Sequence, residues 1–437
     1  MTQVPRVPPE LISQIVKSAK ATFDPKELAR FLSNGALVSR VWYDETRPLA
    51  FSVVVFDFGR PDWNTPLGLD ETAKIRGLLH LIQINPKLAL YVQHLELSSP
   101  LRATSALDQL KACGPALLDL CLKLKDVTVF KIKWSGDGGD TRLGRQSWWF
   151  QVGEEIQSAV QHVCSLRSLH SLSTENISVP LSAWIYHPSL KVVSTTCHYI
   201  LEGKRSLPIQ DGHPEKYASL TCLDLSDIEE YSGNDGVLTI LTRDHIGLFR
   251  SLVDLTLSIS MNNNHGIRRV LEVCRETLTS LTYRPIPILQ PGPTRLNIEY
   301  HAIDFSAMAA LRRVVLAFQP PYETTVESCF PVLMATLTSL PWRQLEVFEL
   351  TLSPFGFRSD LLPNLQTPTF DPRIYTRPID ALAVKSPTLK KFRLDVYLDD
   401  EYQGSYRQLV IEELVPQVYR EAKRRGIVHH AYYGPVP

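Results

Sequence analysis

The sequence contains residue types that do chemistry, but not in patterns that support catalysis. Gly136-Asp137-Gly138-Gly139-Asp140 has the glycine content of a phosphate loop. The Lys-Ser/Thr pair that completes such a loop does not follow, so the stretch reads as a flexible loop. Asp399-Asp400-Glu401 are adjacent carboxylates and read as a solvated turn. His429-His430 alone is no metal site, because a metal needs further ligands at fixed geometry. The seven cysteines are odd in number and scattered, with no Cys-x-x-Cys pair. That usage predicts a reducing compartment, with Cys113, Cys164, Cys222 and Cys274 packed rather than bonded. No Gly-x-Ser-x-Gly, His-Glu-x-x-His, Walker loop or Gly-x-Gly-x-x-Gly is found. The sequence therefore predicts no catalytic residue, no cofactor and no metal, in a protein that is not an enzyme.

The chemistry that remains is recognition. One theme recurs: apolar, two residues, apolar, one residue, apolar. It is found at Val92-Leu95-Leu97, Val127-Phe130-Ile132, Leu220-Leu223-Leu225, Leu252-Leu255-Leu257, Leu278-Leu281-Tyr283, Leu311-Val314-Leu316, Leu345-Phe348-Leu350 and Leu389-Phe392-Leu394. Weaker copies lie near Leu166–Leu172 and Leu190–Val193. This is the signature of leucine-rich repeats. The last two apolar residues of each copy alternate with polar ones, as a strand with one buried face requires. The first packs under the turn leading into that strand.

Successive copies lie about 25 to 45 residues apart, whereas a regular array repeats every 20 to 29. The expected fold is α/β: an irregular leucine-rich-repeat solenoid of curved parallel strands with helices outside. An ordinary α/β domain is the competing architecture. On the strands, Glu96, Lys131, Asp224, Thr256, Thr282, Val315, Glu349 and Arg393 are expected to face outward. They mix both signs with small groups, which suits a protein substrate rather than a phosphate backbone.

Further elements frame these strands. Ser52–Phe58 reads as a strand rich in β-branched and aromatic residues. Asp70-Glu71 opens a helix with Ile75, Leu78, Leu79 and Ile82 on one side, and Asn85-Pro86 stops it. Trp148-Trp149-Phe150 starts a buried helix after the glycine loop. Arg284–Asn297 and Ser353–Pro378 are proline-rich and expected as loops. Tyr406 to Arg425 predicts a helix capping the repeats, and Ile427 to Tyr433 a short final strand.

The 437 residues suffice for a sizeable core, and 44% of them are apolar. Lys+Arg and Asp+Glu number 46 each, so no global field favours nucleic acid or an anionic membrane. Met1-Thr2-Gln3-Val4-Pro5 is followed by no secretory apolar run, and no stretch reaches the roughly 20 apolar residues of a membrane span. A cytoplasmic or nuclear protein is expected.

The first 51 residues differ in character from the repeats. Pro8 and Pro9 suit the first turn of a helix, where a missing N–H costs nothing. Leu11, Ile12, Ile15, Val16 and Ala19 follow as one apolar stripe. Asp24-Pro25-Lys26-Glu27 resembles a capping box and opens a second helix carrying Leu28, Phe31 and Leu32. A third helix, with Ser39 as its cap, carries Trp42 and Leu49. Three such helices are too small to bury all this apolar surface alone, so part of it should face a partner.

The segment resembles an F-box, the helical module that docks onto the Skp adaptor of a cullin-based ubiquitin ligase. The resemblance rests on Val7-Pro8-Pro9-Glu10-Leu11-Ile12, on Leu37-Val38-Ser39-Arg40-Val41-Trp42 and on Arg47-Pro48-Leu49-Ala50-Phe51. Many fungal F-box proteins carry a closely similar pattern before irregular leucine-rich repeats. The likeness implies an F-box over residues 5–51 and a repeat domain over 52–437, with its capping helix at about 406–425. It implies that Pro8, Leu11, Ile12, Ile15, Leu37, Val38 and Trp42 face the adaptor, and through it a cullin. The function expected from it is that of a non-catalytic substrate receptor whose repeats hold an unidentified protein substrate. The alternative is a leucine-rich-repeat scaffold with no link to a ligase.

Overall fold

The computed structural model describes residues 8–22, 27–28, 30–32, 34, 40–58, 71–99, 104–134, 148–175, 177, 179–196, 218–228, 237–260, 264–286, 302–318, 326–352, 381–382, 386–397 and 428–434. The chain divides into two compact units. One comprises Met1–Leu190 with Leu201–Gly212, the other Lys191–Ile200 with His213–Pro437.

The first unit begins with helices. α1 spans Pro9–Thr22. The amides of Leu11 and Ile12 both donate to the Pro8 carbonyl, so the prolines occupy the helix start as their missing donors allow. Described residues between 27 and 34 are helical. α2 spans Arg40–Ala50. Ile12, Val16 and Leu32 form the module's core, with Leu28, Phe31, Trp42 and Leu49 packed on it. The expected capping residues Asp24, Pro25 and Ser39 lie outside the described residues.

β1 (Val53–Asp57), β2 (His94–Ser99), β3 (Val129–Trp134) and β4 (Ser171–Glu175) follow, paired in sequence order and all parallel. Parallel neighbours need crossovers. These are α3 (Glu71–Ile84) with the short α4 (Leu88–Tyr91), α5 (Thr104–Lys123), and the short α6 (Trp148–Gln151) with α7 (Glu154–Ser165). α3 packs on α5 and α5 on α7, matching the strand order. Trp149 is 5% exposed, as expected of a residue opening a buried helix.

The second unit repeats the plan. β5 (Val192–Thr196), β6 (Cys222–Ile228), β7 (Asp254–Ser260), β8 (Ser280–Ile286), β9 (Arg313–Phe318), β10 (Val347–Leu352), β11 (Lys391–Tyr397) and β12 (Val428–Gly434) also pair parallel in sequence order. α8 (Val237–Asp244), α9 (Asn264–Cys274) and α10 (Val326–Ser339) lie in the crossovers.

The recurring motif explains this architecture. Its first apolar residue is buried throughout: Val92, Val127, Leu220, Leu252, Leu278, Leu311, Leu345 and Leu389. The second residues stack across register, as Leu223, Leu255, Leu281, Val314, Phe348 and Phe392 do in the second unit. The weak copies are genuine strands, β4 and β5, with Thr174 and Thr195 in the third apolar position. β2, β3 and β4 alternate buried and partly exposed residues, which leaves one buried face for the helices, while in β1 only Phe56 is buried.

One expected boundary shifts. The proline content predicts a loop from Arg284, but Arg284-Pro285-Ile286 continues β8. β9 pairs with β8 only as far as Tyr283, so Pro285 sits beyond that ladder, where its missing N–H is tolerated. The proline-rich 353–378 segment and the helix expected at 406–425 lie outside the described residues.

Candidate protein-binding surfaces

The helical module leaves part of its apolar stripe uncovered. A turn of about 100° per residue puts Ile12, Val16 and Ala19 on one side of α1 and Pro8, Leu11 and Ile15 on the neighbouring side. The first three are buried. Leu11 and Ile15 are 48% and 43% exposed, and Pro8 is exposed. Trp42 is half-buried, its ring edge-on to Phe31 at 6.0 Å between centroids.

Three of the expected docking residues thus share one open face. Ile12 does not: at 2% exposed it belongs to the module's own core, because α2 and the middle helix pack on that side. Leu37 and Val38 lie outside the described residues.

The second surface is the solvent side of the strands. Register aligns the predicted outward residues with one another. Glu96 neighbours Lys131 across β2 and β3. In the second unit Asp224, Thr256, Thr282, Val315, Glu349 and Arg393 form one row across β6 to β11. Most are half-buried, as a solvated strand face gives. Thr282 and Val315 are only 9% and 8% exposed. The outward exposure expected of these two is therefore not found: both are buried, whereas Arg284 on the same face is exposed and Glu349 half-buried.

Charges on this side are partly matched locally. In the first unit Lys133 pairs with Glu175 at 3.1 Å, and His94 Nε2 lies 3.6 Å from Glu96. Burial, then the Lys131 charge, holds His94 below its ordinary pKa, outweighing Glu96. In the second unit Lys391 pairs with Glu349 at 2.7 Å. Asp224 accepts hydrogen bonds from Ser194 and Ser226. Burial pushes the Cys222 thiol up, helped by Asp254 and Asp224.

Sequence reasoning missed a column of hydroxyls at the strand entrances. Ser168, Thr277 and Thr388, each just before a motif's first apolar residue, donate to carbonyls of the preceding repeat. Thr128, Thr221 and Thr279, one position after it, do the same. Further along, charges replace hydroxyls: Lys390 binds Glu346 and, with Arg312, holds its carboxyl below the usual range. The missed signal was a Ser or Thr immediately flanking the first leucine.

Among the described residues, no group of three or more His, Cys, Asp or Glu could hold a metal ion. Burial pushes the Cys121, Cys164 and Cys274 thiols up to about 12, so they are packed and protonated. Among the described residues, no helix is long and apolar enough to cross a membrane. No protein-family model matches the chain, and no curated protein matches it.

Proposed function

We propose that the chain is an F-box protein, the substrate receptor of a cullin-based ubiquitin ligase. In this role α1 and α2 dock the Skp adaptor, and an irregular leucine-rich-repeat solenoid holds a protein substrate. The observation that carries the proposal is the open face of α1. Leu11 and Ile15 stay exposed beside a formed core, at the positions where the resemblance requires an adaptor contact. An apolar pair of this kind gains most when another surface covers it.

The mechanism is proximity. The receptor holds a substrate's lysines near the charged conjugating enzyme and raises their effective concentration without supplying a nucleophile or base. The test is co-expression with a tagged Skp adaptor. Equimolar co-purification is the expected result. A chain that purifies folded and alone under the same conditions removes the ligase role and leaves a repeat scaffold.

A further inference from the structure

We propose that the solvent side of β6 to β9 takes an extended protein segment with a basic end and an acidic end. The inference deepens the partner-binding role given above to the repeats and does not depend on adaptor docking. It starts from how register distributes charge. β6 and β7 carry Asp224 and Asp254 on this face, and β8 and β9 carry Arg284 and Arg313. Asp254, Ser280 and Arg313 occupy one register row, so the aspartate and arginine stand about 10 Å apart at ordinary strand spacing. No ion pair among the described residues involves any of these four charged groups. Both arginines are exposed and both aspartates half-buried.

The groups therefore face outward as two unmatched blocks of opposite sign. Between them the adjoining row is Thr256, Thr282 and Val315, uncharged side chains that add no competing charge between the two blocks. At the next strands Glu349 and Lys391 already neutralise each other and close the pattern.

Four strands span about 14 Å, the length of roughly four to five extended residues. A segment laid across them would set lysines or arginines over Asp224 and Asp254, and glutamates or aspartates over Arg284 and Arg313. A uniformly acidic or basic segment would meet repulsion at one end, and like charges brought together discriminate against wrong partners.

The probes are two labelled peptides of identical composition. One has a lysine block and a glutamate block, and the other alternates the two residues. Fluorescence anisotropy with the full chain is expected to show the block peptide binding about tenfold tighter, with the preference shrinking as salt rises. Asp254→Lys and Arg313→Glu, each checked for an unchanged melting temperature, should each weaken the block peptide by about tenfold. An all-lysine peptide should bind the double variant Arg284→Glu, Arg313→Glu better than wild type, a gain that damaged folding cannot produce.

Equal binding of the two isomers, or variants that bind as wild type, overturns the proposal. So does self-association of the chain that Arg313→Glu abolishes, which would make a second copy the occupant. The adaptor is absent from the assay, so these outcomes leave docking through α1 untouched.

Discussion

At the scale of single residues, neighbouring positions on α1 have opposite roles. Ile12 is core, so Ile12→Ala should cost about 2 to 5 kcal/mol in a denaturant melt. Leu11→Ala, at a position 48% exposed, should move the same melt by well under half as much. A second residue sets a pH dependence. His187 is 6% exposed, with Nε2 donating to the Leu166 carbonyl and Nδ1 accepting from the Ser189 amide. Burial holds its pKa below the ordinary 6.5; nearby His170 adds to that, and the Leu166 bond opposes it. The unfolded chain therefore takes up the proton first as pH falls. The stability this neutral ring contributes is complete above about pH 6.5 and is lost as pH drops toward the lower folded value. Melts at successive pH values should show that slope, and His187→Gln should make it shallower. His94, also held low, keeps part of it.

At the scale of elements, two helical glycines give opposite predictions. A Cβ on Gly114 of α5 would lie 3.3 Å from the Glu155 Cβ and 3.7 Å from the Ile156 Cδ1 of α7. The two helices approach through that gap, so Gly114→Leu should cost about 1 to 3 kcal/mol by overpacking. A Cβ on Gly77 of α3 meets nothing within 4 Å. Gly77→Ala should raise stability by about 0.5 to 1 kcal/mol, because alanine restricts the unfolded chain more. Among the strands, Phe348 of β10 is fully buried, 4.9 Å from the Trp342 ring and 5.7 Å from the Phe392 ring. Phe348→Ala should cost about 3 to 5 kcal/mol. Strand existence was legible because a period-two pattern after a fixed leucine leaves little freedom, and even β4 and β5 showed faintly. The split of the α1 stripe was not legible. The side of Leu11-Ile12-Ile15-Val16 that α2 covers is set by tertiary packing, which the spacing of apolar residues does not encode. The hydroxyl column was present in the sequence, but a serine beside a leucine is too common to notice before the repeats are aligned in space.

At the scale of the molecule, two parallel-strand units carry one plan, and the helical module begins the first of them. The central claim concerns the α1 face, and Leu11→Glu addresses it more directly than Trp42→Ala. Trp42 packs on the module core, so its loss would confuse unfolding with undocking. A glutamate at an exposed position leaves the core intact and puts an unpaired charge into an apolar interface. The decisive measurement is a calorimetric titration of purified Skp adaptor into the full chain, wild type and Leu11→Glu, beside a thermal melt of each. The account predicts micromolar or tighter binding to wild type, lost in the variant at an unchanged melting temperature. Wild type that does not bind at micromolar concentrations, or a variant that binds equally well, would contradict it.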